Sequence, residues 1–114
     1  MAQKKDCSHP FGCSVEATLS VIGGRWKPVI LFHLLQNDVL RFGELNKEIE
    51  GITQRMLTNQ LRELERDRVI SRTVYAEVPP RVEYSLTNYG RSLEPILIAM
   101  RDWGAEHVNT QKSA

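Results

Sequence analysis

Long apolar runs are missing from this sequence. The longest near-continuous one, Val29 to Leu35, is broken by His33 and falls well short of the ~20 residues that cross a bilayer. A membrane-spanning helix is therefore not expected. Cysteine is scarce as well: Cys7 and Cys13 stand near one end and would close only a small loop, which excludes a disulfide framework stapling distant segments. There is no phosphate-binding glycine loop and no recognisable set of nucleophile, base and oxyanion donors, so no catalytic residue and no cofactor is assigned and an enzyme is not expected. Cys7, His9 and Cys13 make a loose cluster of three potential ligands at irregular spacing, one short of the four that structural zinc takes, and no metal is assigned. The basic residues Lys4 and Lys5 are followed by no apolar stretch; no secretory signal is read, and a cytoplasmic location is the expectation. The formal net charge of +1 supplies no strong overall field, so any argument about a charged partner must rest on where the charges sit.

What is present is an ordinary globular composition, 41% hydrophobic and 25% charged in 114 residues, enough for one domain with a modest core. Ser14 is placed as the N-cap of a first helix whose Val15, Thr18, Leu19 and Ile22 recur at helical spacing until Gly23 and Gly24 end it. Pro28 fits the first turn of a second helix carrying Trp26, Val29, Ile30, His33 and Leu34 on one side, ending near Gln36–Asp38. A third, short helix reads from Phe42 to about Ile49, and Thr53 opens a fourth. From Ser71 the period changes to two. Two strands, Ser71–Glu77 and Val82–Leu86, flank a proline-bearing turn with Arg81 at its tip. Thr87 should cap a last long helix with an apolar stripe from Leu93 to His107, kinked at Pro95. Residues 1–12 and 109–114 read as polar tails around a domain spanning 13–108.

Two short helices joined by a tight turn and followed by a hairpin make the winged helix-turn-helix order, mainly α with a small β-hairpin. In that fold the fourth helix enters the DNA major groove, whose phosphate walls require donors and disfavour carboxylates on the inserted face. No acidic residue stands between Glu50 and Glu63, while Thr53, Gln54, Arg55, Thr58, Asn59 and Arg62 fall on the face opposite Ile52, Leu57, Leu61 and Leu64. Arginine can fork onto guanine, glutamine and asparagine onto adenine, and threonine can reach a phosphate or a thymine methyl. Arg81 is the expected wing contact. A bland alternative is a merely solvated polar helix face; another is a winged helix used as a protein-protein interaction module, which would carry acidic or apolar residues there. His33 and His107 lie on apolar helix faces, where packing is the simpler account.

Several motifs together, Cys13-Ser14-Val15-Glu16, Ile22-Gly23-Gly24-Arg25-Trp26, Arg41-Phe42-Gly43-Glu44-Leu45, Met56-Leu57-Thr58, Leu61-Arg62-Glu63-Leu64-Glu65 and Pro80 to Thr87, resemble the HxlR-type regulators, which are MarR-like winged-helix proteins. The resemblance covers about Cys13 to Gly104. It implies a cytoplasmic homodimer on a roughly palindromic double-stranded operator, usually a repressor and sometimes an activator, dimerising through the first and last helices. Leu19, Leu93, Ile96, Leu97, Met100 and Trp103 are the expected interface, and the stripe on the last helix is independently more than so small a core can cover. In some relatives the cysteine at the start of the first helix senses oxidants or electrophiles, a position matched by Cys13, with Cys7 as a second thiol. A helix N-terminus favours the thiolate; the alternative for Cys13 is an inert residue at the dimer seam. Two positions depart from the family pattern: Ser14 replaces a frequent proline, and Arg68 a frequent glycine after the fourth helix. If Arg68 is left-handed, strain of about 1–2 kcal/mol follows. The sequence specifies no effector.

Overall fold

The computed structural model describes residues 10–113. It contains α1 (Pro10–Ile22), α2 (Lys27–Gln36), β1 (Leu40–Arg41), α3 (Phe42–Glu48), α4 (Gln54–Arg66), β2 (Ile70–Tyr75), β3 (Arg81–Leu86), α5 (Asn88–Arg91) and α6 (Glu94–Ser113). The three strands form one antiparallel sheet in the order β1-β3-β2, so the hairpin β2–β3 is the wing and β1 ties its inner edge to the start of α3.

Local chemistry explains most boundaries. Pro28 lies in the first turn of α2, where the N–H it lacks would have no intrahelical partner. Asn37 closes the other end, its backbone N–H and side-chain Nδ2 both donating to the His33 carbonyl at 3.1 and 2.9 Å. In α3 the Glu44 carboxylate accepts from the Arg41 N–H at 2.8 Å, the return half of a capping box. Between α3 and α4 the chain reverses through Gly51 at φ 92°, a conformation that glycine adopts without a Cβ penalty.

The end of α4 decides how the wing leaves the body. Arg68 does adopt φ 66°. Its N–H donates to the Glu65 carbonyl at 2.9 Å, and the Val69 N–H donates to the Leu64 carbonyl at 3.2 Å. That pair of bonds is a Schellman motif, and the buried Leu64 and Val69 supply its hydrophobic contact. The expected left-handed residue is thus present, and an arginine holds it.

Four expectations are corrected. The first helix begins at Pro10, so Ser14 lies inside it, and the Ser14 carbonyl accepts from Thr18 Oγ1 at 3.1 Å; a proline with no N–H to satisfy suits the first turn better than an internal serine. The last helix is not one kinked rod. Thr87 caps the single turn α5, accepting from the Gly90 N–H at 2.9 Å, and α6 starts afresh at Glu94 with Pro95 in its opening turn rather than at a bend. Arg81 is the first residue of β3, paired with Tyr75, rather than a tip residue. The terminal helices also reach beyond the 13–108 segment, at Pro10 and Ser113.

The core lies where α2, α4 and the sheet meet: Ile30, Leu31, Leu34, Leu45, Leu57, Leu61, Leu64, Val69 and Ile70 are almost wholly buried. Away from it the molecule is open. Its Cα radius of gyration is 16.2 Å, against about 13 Å for a compact chain of this length, because the wing and the far half of α6 project from the body.

Candidate nucleic-acid interface

Helix α4 is built to show one face. Thr53 Oγ1 accepts from the Met56 N–H at 3.1 Å and fixes the first turn. Leu57, Leu61 and Leu64 then anchor one side in the core. The 3.6-residue period consequently turns Gln54, Arg55, Asn59 and Arg62 to solvent, with Thr53 exposed at the cap and Thr58 half-buried. The structure therefore brings all six predicted α4 residues onto or beside one surface. No ion pair among the described residues engages Arg55 or Arg62, so their guanidinium groups are available to an outside anion. The unpaired N–H groups of the first turn add a positive end to the same face.

One charged contact fixes how α4 sits on α2. Lys27 is the buried charged residue of the body, and its Nζ lies 2.6 Å from Glu63 Oε1. The hydrogen bond from Lys27, and then its charge, hold the Glu63 carboxyl below its ordinary value, with Arg66 adding to the effect against a small opposing effect of burial. Glu63, the first carboxylate after the acid-free stretch, is thereby spent internally.

The wing residue chosen from sequence behaves differently. Arg81 Nη1 lies 3.2 Å from Glu77 Oε2, and Arg81 Nε lies 3.1 Å from Glu83 Oε2 but out of hydrogen-bonding line. Its guanidinium stacks 4.1 Å above the Tyr75 ring. Two carboxylates and an aromatic face of its own hairpin hold it. The sequence reading missed Arg72, exposed on β2 and opposite Tyr84. With Thr58, Leu61, Arg62, Glu65 and Tyr84 it lines a cavity of about 340 Å³ between α4 and the wing. Its alternation with Thr73 was visible in the sequence, but which face of the strand met α4 was not.

The predicted dimer residues separate into two sets. Leu97 is 2% exposed and belongs to the core cluster, and Leu93 is partly buried against it. Both pack within the monomer, Leu97 from the body-facing side of α6 and Leu93 from the turn just before it. Leu19 on α1 and Ile96, Met100 and Trp103 on α6 are exposed, Trp103 by 70%. Val15, one turn before Leu19, extends the apolar surface of α1. Trp103 stacks on His107 with ring centroids 5.1 Å apart. His33 pairs with Glu48 across 3.2 Å.

Cys13 lies in the first turns of α1, half-buried, and is disulfide-bonded. Cys7 and His9 lie outside the described residues. Among the described residues no group of three or more His, Cys, Asp or Glu side chains could hold a metal ion, and no helix is long and apolar enough to cross a membrane.

A helix pair presenting a donor-rich second helix beside a two-stranded wing defines a winged helix-turn-helix protein. Residues 21–112 match the HxlR-like helix-turn-helix family, and the chain belongs to that family. It is 58% identical over 96 residues to the HTH-type transcriptional regulator YdeP of Bacillus subtilis, covering 84% of this chain and 74% of YdeP. The redox regulator HypR in its reduced form superposes with a TM-score of 0.81 at 50% identity, covering 89% of this chain and 99% of HypR. A MarR-family regulator from Enterococcus faecalis V583 gives 0.76 at 36% identity, over 97% of this chain and all of the other, 100%. The chain is accordingly a helix-turn-helix transcriptional regulator.

Proposed function

We propose that this regulator binds a roughly palindromic operator as a homodimer, with α4 in the major groove and Thr53, Gln54, Arg55, Thr58, Asn59 and Arg62 touching bases and phosphates. The observation that carries the reading is the solvent-facing stretch of α4 before Glu63, which holds no carboxylate and whose Arg55 and Arg62 have no ion pair among the described residues. A winged helix serving protein contact would present carboxylates or apolar groups there. Dimerisation through α1 and α6 covers Leu19, Ile96, Met100 and Trp103 and sets two α4 helices about one DNA turn apart, roughly 34 Å. The usual sign of action is repression in a cytoplasmic setting, without chemistry on a substrate.

A thiol response rests on a second observation: Cys13 stands disulfide-bonded on α1, one of the two dimer helices, and a redox regulator is among the structural relatives. A bond at that point can re-aim the paired α4 helices. The test is a fluorescence-anisotropy titration against the chain's own upstream intergenic duplex and a scrambled one, with reduced and oxidised protein. Preference for the genuine duplex that changes with oxidation, and that ceases to change in Cys13→Ser, supports the proposal. Equal affinity for both duplexes in both redox states rejects specific binding.

A further inference from the structure

Strand parity separates the wing's two arginines. Paired residues of an antiparallel ladder point to the same side, and side chains alternate along each strand. Ile70, Arg72 and Val74 therefore share one face with their partners Leu86, Tyr84 and Val82, whereas Thr73, Tyr75, Glu83 and Arg81 share the other. The first face carries the buried Ile70, Tyr84 and Leu86 and is the one turned toward α4. Arg81 lies on the face turned away, held by Glu77 and Glu83. Arg72 continues the inner face outward from the core to the cavity it shares with Thr58 and Arg62. No ion pair among the described residues engages Arg62 or Arg72.

Resting on the DNA-binding reading above, we propose that this cleft between α4 and β2 is a seat for one backbone phosphodiester, held by Arg62 and Arg72 with the Thr58 hydroxyl, and that Arg72 rather than Arg81 is the wing's DNA contact. Two arginines lining one cleft from two elements suit a phosphate, which accepts from several donors at once. The Glu65 carboxylate lines the same cleft and opposes the bound anion, leaving a net positive site that holds a phosphate without trapping it. Because a phosphate carries no base identity, the seat sets the distance between recognition helix and wing rather than the sequence read.

The test measures affinity for the upstream and scrambled duplexes across a range of salt concentrations. Losing one phosphate contact lowers the slope of log K against log salt by about 0.9, so the affinity ratio between 50 and 200 mM salt shrinks about 3.5-fold. Arg72→Gln is expected to show this loss equally on both duplexes, and Arg72→Lys to retain most of the slope. Glu65→Gln is expected to bind both duplexes more tightly, a direction that damage to the fold would not produce. Arg81→Gln should lose less than Arg72→Gln. An unchanged slope in Arg72→Gln, or a larger loss in Arg81→Gln, overturns the assignment while leaving DNA binding intact. Failure of the wild-type protein to bind either duplex overturns the DNA-binding reading itself.

Discussion

Removing either partner of the Lys27–Glu63 pair should have very different costs, although each removes the same contact. The Lys27 side chain is 10% exposed and that of Glu63 41%. Glu63→Ala strands an ammonium among apolar neighbours, where breaking a fully buried pair costs about 3–5 kcal/mol. Because Glu63 is two-fifths in water, the pair is partly screened, and the expected loss is about 2 kcal/mol. Lys27→Met keeps the stem volume, removes the buried charge and returns Glu63 to solvent, so the expected loss is under about 1 kcal/mol. The double variant should be less damaged than Glu63→Ala alone, which a double-mutant cycle reads directly. Urea unfolding at one fixed protomer concentration gives all four stabilities. The pair also sets a pH dependence. The folded-state pKa of Glu63 is lowered, so its contribution is fully present above the unfolded value of about 4.3 and disappears as pH falls through the folded value. Most of that acid-side loss should be gone in Lys27→Met, with only the smaller effect of Arg66 left. A Lys27→Met variant as unstable as Glu63→Ala would mean instead that the buried lysine is itself a net source of stability.

Other outcomes follow from single positions. Arg68→Gly should raise stability by about 0.5–1 kcal/mol, the relief of a left-handed residue less the extra freedom of glycine in the unfolded chain; thermal unfolding checks it. Gly90→Ala should destabilise by about 1–3 kcal/mol, because a Cβ there runs into the Val69 carbonyl at the junction of wing and α5, and chemical denaturation reads the loss. Trp103→Glu should weaken self-association at least about 30-fold, as loss of a buried interface tryptophan costs about 2 kcal/mol or more, with an unchanged far-ultraviolet circular dichroism spectrum. Leu97→Ala should instead unfold the monomer more readily, by about 2–5 kcal/mol, since that side chain is already in the core. Sedimentation equilibrium and urea titration of both variants separate the two effects.

The elements legible in the sequence were those with a strong local signal. The amphipathic period of α4, Thr53 at its cap, Gly51 before it and the strand alternation on either side of Pro79 and Pro80 each depend on neighbours a few residues away. Strand β1 has only two residues and exists through its pairing with Tyr84 and Glu83, a long-range event with no local trace. Gly90 seats against the Val69 carbonyl, again a contact with a distant partner. For the site, the α4 face was readable because helical period alone places it. The wing's inner face was not: telling whether Arg72 or Arg81 faces α4 requires knowing which side of a two-stranded ribbon meets the body, and a shift of one residue reverses the answer. The dimer stripe meets a related limit, since periodicity marks Leu93, Leu97, Met100 and Trp103 as apolar but does not say which of them the monomer itself covers.

The proposed function depends above all on base contacts from the exposed face of α4. The most direct test is the affinity of Arg55→Ala for the upstream duplex relative to a scrambled one, beside the wild-type ratio. Specific binding is expected to fall by about 1–3 kcal/mol, roughly 5- to 150-fold, while scrambled binding falls far less. Undiminished specific affinity in Arg55→Ala, and likewise in Arg62→Ala, would take this helix out of the major groove.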